Sequence, residues 1–387
     1  MNDRDVVIVE AVRTAVGRKN GSLSGIHPVV LLAQVLEELM RRAGLPQDVV
    51  EDVVCGCVDQ MGDQAANIGR NAVLTAGFPY TIPATTVDRQ CGSGQQAVHF
   101  AANLIQAGVV DAAIGCGVES MSRVPILSTL QSGHGFPMPQ EMMDRYQLVM
   151  QGTSADMIAK QWGISRQDVD QFAYESHMKG ARAREEGRFQ REIMPMKVTL
   201  EGVETTFDRD EGIRPDTSIE KLASLQASFA EDGVHTAGTS SQISDGAAAV
   251  LVMSAAKAKE LGVKPRARIV AQAVVGSEPV LMLTGPITAT PKVLDKAGLK
   301  ISDIDLFEIN EAFAAVILAW EKELHPDMRK VNVNGGAIAL GHPLGCTGAK
   351  LMTTLLHELE RAGGRYGLET MCCGGGIGTA TIIERLD

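Results

Sequence analysis

Residues Val87-Asp88-Arg89-Gln90-Cys91-Gly92-Ser93-Gly94-Gln95-Gln96-Ala97-Val98 run from an extended stretch, through a cysteine followed by glycines, into an apolar, helix-forming segment. The pattern reads as strand, tight turn, helix, with Cys91 at the turn. A side chain there meets the unpaired N–H groups and positive end of the following helix, which predicts a thiol pKa below its free value. Cys91 is therefore a candidate nucleophile. The competing reading is a small residue filling a buried strand end, because free cysteine is among the most buried residue types. This stretch alone does not choose between them.

Upstream of it, Val6 to Glu10 reads as a buried strand, Pro28 to Ala43 as a helix stopped at Gly44, and Val49 to Val58 as a strand. Ala65 to Ala76 follows as a helix and Thr85 to Gln90 as a strand; beyond it, Cys91 to Gln106 is helical and Ala112 to Val118 a buried strand. Such alternation predicts an α/β domain whose mostly parallel sheet is covered on both faces. From Met121 to about Gln242 the chain changes character, with Pro125, Pro137, Pro139 and Pro195, mixed charge, helical segments such as Asp168 to Glu186 and no sustained strand alternation. It reads as a long insertion of the kind that forms lids or binding surfaces.

The first pattern then returns. Ala267 to Val275 is a strand, Pro291 to Ala297 a helix, Ile304 to Ile309 a strand, Glu311 to Leu324 a helix and Val331 to Asn334 a strand. Cys346 to Ala362 is helical, and Leu368 to Cys372 and Thr379 to Ile383 are the last strands. Fold duplication explains why residues 267–387 repeat the order of residues 5–118. The domain division that follows is a first core of 1–120 with 243–266, a loop domain of 121–242, and a second core of 267–387. The turn that holds Cys91 then corresponds to Asn334 through Gly345 in the second half. Packed about a pseudo-twofold axis, both turns reach one central site, and His342 faces Cys91.

With 45% apolar and 21% charged residues over 387 positions, the chain has ample material for large cores. No apolar run approaches the ~20 residues of a membrane span, the start lacks a signal-peptide pattern, and Arg385-Leu386-Asp387 does not resemble a peroxisomal address. Seven scattered cysteines argue for a reducing compartment, read as cytoplasmic. Cys55-Gly56-Cys57 and Cys372-Cys373 lack the spacing of a zinc site, so no metal is expected. A net charge of −11 argues against broad nucleic-acid binding. A small anion needs only a local cluster, such as Lys179, Arg182, Arg184, Arg188 and Arg191, although Glu185 and Glu186 favour a solvated helix face there.

At this point the chain resembles the thiolase family. The matching segments are Cys91-Gly92-Ser93-Gly94, Gly117-Val118-Glu119-Ser120-Met121-Ser122, Ser244-Asp245-Gly246-Ala247-Ala248, Asn310-Glu311-Ala312-Phe313-Ala314, Asn334 through Gly345, and Cys372-Cys373-Gly374-Gly375-Gly376. They span the chain in the family's order. The resemblance implies duplicated five-stranded mixed-sheet core domains, layered αβαβα, with an inserted loop domain, assembled as a homodimer or homotetramer. It also implies acyl transfer between thiols. Cys91 matches the acyl-accepting nucleophile, His342 the base that activates it and Cys372 the second acid/base. Asn310 matches the residue that holds a water in an oxyanion hole with His342, and the N–H groups of Cys91 and Gly374 match the second hole. Arg214 and Ser241 match, more loosely, positions that contact coenzyme A.

The residue types suit the cleavage of a 3-ketoacyl thioester by coenzyme A, which serves as substrate, with no permanently bound cofactor. A thiolate attacks a carbonyl and leaves again more readily than an alkoxide at neutral pH. Preorganised donors for the developing oxyanions are commonly worth ~3 to 4 kcal/mol each. Two readings share this chemistry, a degradative 3-ketoacyl-CoA thiolase of fatty acid beta-oxidation and a biosynthetic acetoacetyl-CoA thiolase. Met150-Gln151 stands where biosynthetic relatives carry a His-Met pair, and Gly276 to Pro286 resembles thiolases of larger or steroid-derived acyl groups. A noncatalytic acyl-CoA or sterol carrier needs none of Cys91, Asn310, His342 and Cys372. A nicotinamide dehydrogenase fails because Gly374-Gly375-Gly376-Ile377-Gly378 is followed by no helix and by no acidic residue some ~20 positions on.

Overall fold

The computed structural model describes residues 2–131, 133–200 and 202–386. Strand β1 (Val6–Thr14) sends Val7, Val9 and Val12 into one apolar cluster and Val6, Ile8 and Ala11 into another. Alternation is the rule for a strand buried on both faces, and a bulge between Ile8 and Glu10 shifts its phase. Helix α1 (Pro28–Ala43) follows, with the His27 imidazole accepting the Val29 N–H and Gly44 closing it in the left-handed conformation.

Strands β2 (Asp52–Gly56), β3 (Ala84–Val87), β4 (Ala112–Ser120) and β5 (Ser244–Ser254) complete the first half, in the spatial order β3-β2-β4-β5-β1. The second half holds β6 (Ala267–Gly276), β7 (Leu306–Ile309), β8 (Tyr366–Cys373) and β9 (Ile377–Arg385), in the order β7-β8-β9-β6. Outside β7, the expected strand over 331–334 is only a bridge between Phe307 and Val331. The left-handed backbone of Asn332 and Gly335 turns the chain away before a ladder forms. With that bridge in third place, both halves share one spatial order, as the duplication requires. They join through Val7 opposite Arg268 and Ile8 opposite Ala267.

The sheet is mixed rather than mostly parallel. Parallel pairing is confined to β2 with β3 and β4 and to β7 with β8 among these core strands; β5, β1, β6 and β9 pair antiparallel. The reason is plain at β8 and β9, which are joined by the tight turn Gly374-Gly375-Gly376 instead of a crossover helix.

Helices α1 and α2 (Ile68–Thr75) cover the outer face of the first half, while α4 (Gly285–Ala297) and α5 (Ala314–Leu324) cover that of the second. Between the half-sheets lie α3 (Ser93–Gln106) and α6 (Leu344–Ala362), whose Val98, Ile105, Leu355 and Leu359 share a cluster with strands of both halves. The layers are therefore αβαβα. In the central layer the two helices touch backbone to backbone: a Cβ on Gly94 would stand 2.7 Å from the Gly345 carbonyl oxygen, and one on Gly348 would stand 2.1 Å from the Gln95 nitrogen. Glycine at these positions lets the N-terminal ends of α3 and α6 meet.

The excursion after β4 contains helices Gln151–Gln161 and Arg166–Glu185 and, against expectation, a hairpin of Met196–Leu200 with Val203–Phe207. Its buried side is supplied by Met196, Val198 and Phe207. The buried Arg13 guanidinium fastens this segment to β1 by pairing with Glu192 at 2.6 Å and Asp210 at 2.7 Å. The basic stretch also reaches the second half, through Arg188 to Asn334 at 2.9 Å and Arg191 to Glu360 at 2.8 Å. Among the described residues no helix is long and apolar enough to cross a membrane.

Candidate active site

Cys91 lies between β3 and α3, just ahead of the helix. Gln90, before it, has φ 50°, a left-handed backbone that costs a non-glycine residue about 1 kcal/mol or more. Ser93 holds this turn: its hydroxyl accepts the Arg89 N–H at 2.9 Å and donates to the Gln90 carbonyl at 2.6 Å. Cys91 packs with Met121, Leu344, Leu351, Met371 and Cys373, so residues after His342 and at the end of β8 close around the thiol.

The histidine turn is built by other carboxylates and hydroxyls. Glu311 accepts from Ser176 at 2.7 Å, from the Asn332 amide at 2.9 Å and from the Ile338 N–H at 3.2 Å. The His342 N–H donates to Ser244 Oγ and to the Gln242 carbonyl, both at 3.2 Å. The buried ring is held on two sides, with Nδ1 2.6 Å from Thr347 Oγ1 and Nε2 3.4 Å from Asn310 Nδ2. Asn310 is fully buried, and its Oδ1 has no hydrogen-bond partner among the described residues. Helix α5 starts at Ala314 rather than at Glu311, so a capping role does not account for Asn310.

Cys372 and Cys373 end β8 and point to opposite faces. Cys373 joins the Cys91 cluster, its sulfur 2.6 Å from where a Cβ on Gly92 would stand. Cys372 packs on the other side, in the cluster of Ala312 and Phe313. Burial raises its thiol far above the ordinary range, and the neighbouring Cys91 and Cys373 add to this. Ser241 lies beside Asn310, its N–H donating to the Ala312 carbonyl at 2.9 Å. Arg214 is exposed, on the loop after Gly212; a Cβ on that glycine would stand 2.5 Å from the Ala339 carbonyl of the histidine turn.

Glu119 escaped the sequence reading as a site residue. Its buried carboxylate accepts the N–H groups of Val58 at 2.9 Å, Asp59 at 3.1 Å and Gly345 at 2.8 Å, and the Gln64 amide at 2.7 Å. One side chain thus holds the histidine helix to the loop after β2. The available signal was an acid inside the otherwise apolar run from Ala112 to Met121.

The electrostatics overturn one expectation. Burial pushes the Cys91 thiol up to about 11, and the N–H groups of Gly374 and Cys91 itself, which favour the thiolate, only partly oppose this. Burial and the Lys350 charge push His342 down to about 3. The resting pair is therefore a thiol beside a neutral imidazole. Alkylation of Cys91 by iodoacetamide, followed by mass spectrometry, is expected to quicken about tenfold per pH unit from 7 to 10. A plateau below pH 9 contradicts this. No group of three His, Cys, Asp or Glu that could hold a metal occurs among the described residues.

The chain is similar to known proteins along nearly its whole length. Residues 6–256 match the family model for the thiolase N-terminal domain and residues 263–385 that for the thiolase C-terminal domain. The chain is 49% identical to the steroid 3-ketoacyl-CoA thiolase FadA6 of Mycobacterium tuberculosis (strain ATCC 25618 / H37Rv), over 99% of this chain and 94% of the relative. It is 43% identical to the 3-ketoacyl-CoA thiolase of Bacillus subtilis (strain 168), over 98% of this chain and 99% of that one. The solved structure of the Bacillus anthracis acetyl-CoA acetyltransferase superposes with a TM-score of 0.91 at 42% identity, covering 99% of both chains. With both domain models matched in order along nearly its whole length, this chain belongs to the thiolase family.

Proposed function

We propose that this chain is a degradative 3-ketoacyl-CoA thiolase, releasing acetyl-CoA and a shortened acyl-CoA through an acyl-cysteine intermediate. The observation that carries the reading is a buried thiol and a buried imidazole at the adjoining ends of α3 and α6. Cys91 attacks the ketone carbonyl as its proton passes to His342. Collapse of the tetrahedral alkoxide breaks the carbon–carbon bond, and the Cys372 thiol protonates the departing acetyl-CoA enolate. The Cys372 thiolate then takes the proton of incoming coenzyme A, whose sulfur attacks the acyl-cysteine. Cys91 leaves and recovers its proton from His342. The N–H groups of Cys91 and Gly374 and the Asn310 side chain serve the developing oxyanions.

Arg214 and Ser241 contact coenzyme A in this reading. The loop domain is residues 121–242, between a first core of 1–120 with 243–266 and a second core of 267–387. The molecule works as a homodimer or homotetramer; its unpaired cysteines suit a reducing, cytoplasmic setting.

A relative named for steroid substrates supports bulky acyl groups, and Met150-Gln151 in place of a His-Met pair weakens the acetoacetyl-specific reading. The acetoacetyl-specific reading rests on the resemblance to an acetyl-CoA acetyltransferase. Coenzyme A-dependent thiolysis of 3-ketoacyl-CoAs, from acetoacetyl-CoA to long-chain and ring-bearing ones, separates the two. Turnover of the larger members is expected, and turnover confined to acetoacetyl-CoA overturns the degradative reading.

A further inference from the structure

We infer that Thr347 is a positioning residue that fixes His342 in the tautomer with its proton on Nδ1, leaving Nε2 to take the Cys91 proton. The inference rests on the reading of His342 as the base. Its geometric part stands independently of that reading.

The Thr347 hydroxyl donates to the Pro343 carbonyl at 2.9 Å, the back-bond a threonine makes to the carbonyl one helical turn earlier. A hydroxyl has one proton, and Thr347 has committed it. At 2.6 Å from Nδ1, Thr347 Oγ1 therefore acts as acceptor, and the proton of the neutral ring lies on Nδ1. On the opposite side Asn310 Nδ2 lies 3.4 Å from Nε2, a contact that a lone pair on Nε2 accommodates. His342 and Thr347 are 3% and 1% exposed, so neither group has bulk solvent as an alternative partner. The bond to Asn310 is long and easily surrendered when the Cys91 proton arrives.

The partner's chemistry also matters. A carboxylate behind the imidazole would stabilise its charged form, whereas a hydroxyl orients the ring without doing so. Lys350, buried one turn further along α6, opposes that charge. The imidazolium is thus a transient proton carrier, and the orientation of its free nitrogen is what Thr347 supplies.

The test uses full-length protein with ¹⁵N-labelled histidine, the His342 signals being assigned by their loss in His342→Ala. Wild type and Thr347→Ser are expected to show a protonated Nδ1 and a lone pair on Nε2. In Thr347→Val that pattern is expected to be lost or reversed, with kcat for thiolysis down about 30-fold, KM unchanged and the serine variant within about threefold of wild type. Thr347→Ala is read in the same way if the valine variant does not fold. A wild-type tautomer, or a wild-type kcat, in a folded valine or alanine variant overturns the inference. If wild type shows the Nδ1 proton but no thiolysis, the functional reading fails while the tautomer assignment survives.

Discussion

Cys91→Ala is expected to lower thiolysis by at least ~10⁴-fold while the thermal transition stays close to that of wild type. Removal of the sulfur deletes the atom that carries the acyl group between half-reactions, and Cys372 packs in a different cluster from Cys91. Stability is spared because the backbone turn is held by Ser93, Arg89 and Gln90, not by the thiol. The loss of a small side chain next to Met121 and Cys373 leaves at most a minor cavity. Cys372→Ala provides the contrast. With the nucleophile intact, Cys91 is expected still to be alkylated by iodoacetamide while complete turnover falls steeply, because the enolate and the incoming thiol lack their proton partner. Turnover by Cys91→Ala above one part in a thousand of the wild-type rate removes Cys91 from its role.

The second large effect is on stability. Gly348→Ala is expected to cost about 3 kcal/mol, since its Cβ would meet the Gln95 nitrogen at 2.1 Å and the Gln95 Cα at 2.7 Å. These are backbone and near-backbone atoms that cannot swing aside, so α3 and α6 must separate. Separation of the helices also draws apart the ends that carry Cys91 and His342, and the surviving folded fraction is expected to lose activity as well. Gly25→Ala is the control, because nothing lies within 4 Å of its Cβ position. Equal melting temperatures for Gly348→Ala and Gly25→Ala would show that the central layer is looser than its contacts indicate.

Much of this organisation was legible along the chain. The alternation of buried strands and capped helices, broken after Met121 and resumed at Ala267, expressed the duplication, and the shared spatial order of both halves bears it out. The misreadings have local causes. Val331 to Asn334 looks like a strand because its apolar residues alternate, but the backbone of Asn332 is left-handed. The hairpin of Met196–Leu200 with Val203–Phe207 was hidden by exposed polar residues, since only one of its faces is covered. The start of α5 was placed too early because the chain from Asn310 to Phe313 serves side-chain hydrogen bonds before the helix begins at Ala314.

By itself the sequence determined the two halves, the strand-turn-helix setting of Cys91 and the pairing of its turn with that of His342, because periodicity and glycine placement are local properties. Only the tertiary structure decided the protonation of the site. Local reasoning sees the N-terminal end of α3 and predicts a thiolate; the fold surrounds Cys91 with apolar side chains from α6 and β8, and the cost of burying charge exceeds the help of nearby N–H groups. Thr347, Glu119 and Glu311 likewise gain their functions only through partners that folding brings to them. Hydrogen bonds and desolvation depend on which surfaces meet, and that information is not present in any single stretch of chain.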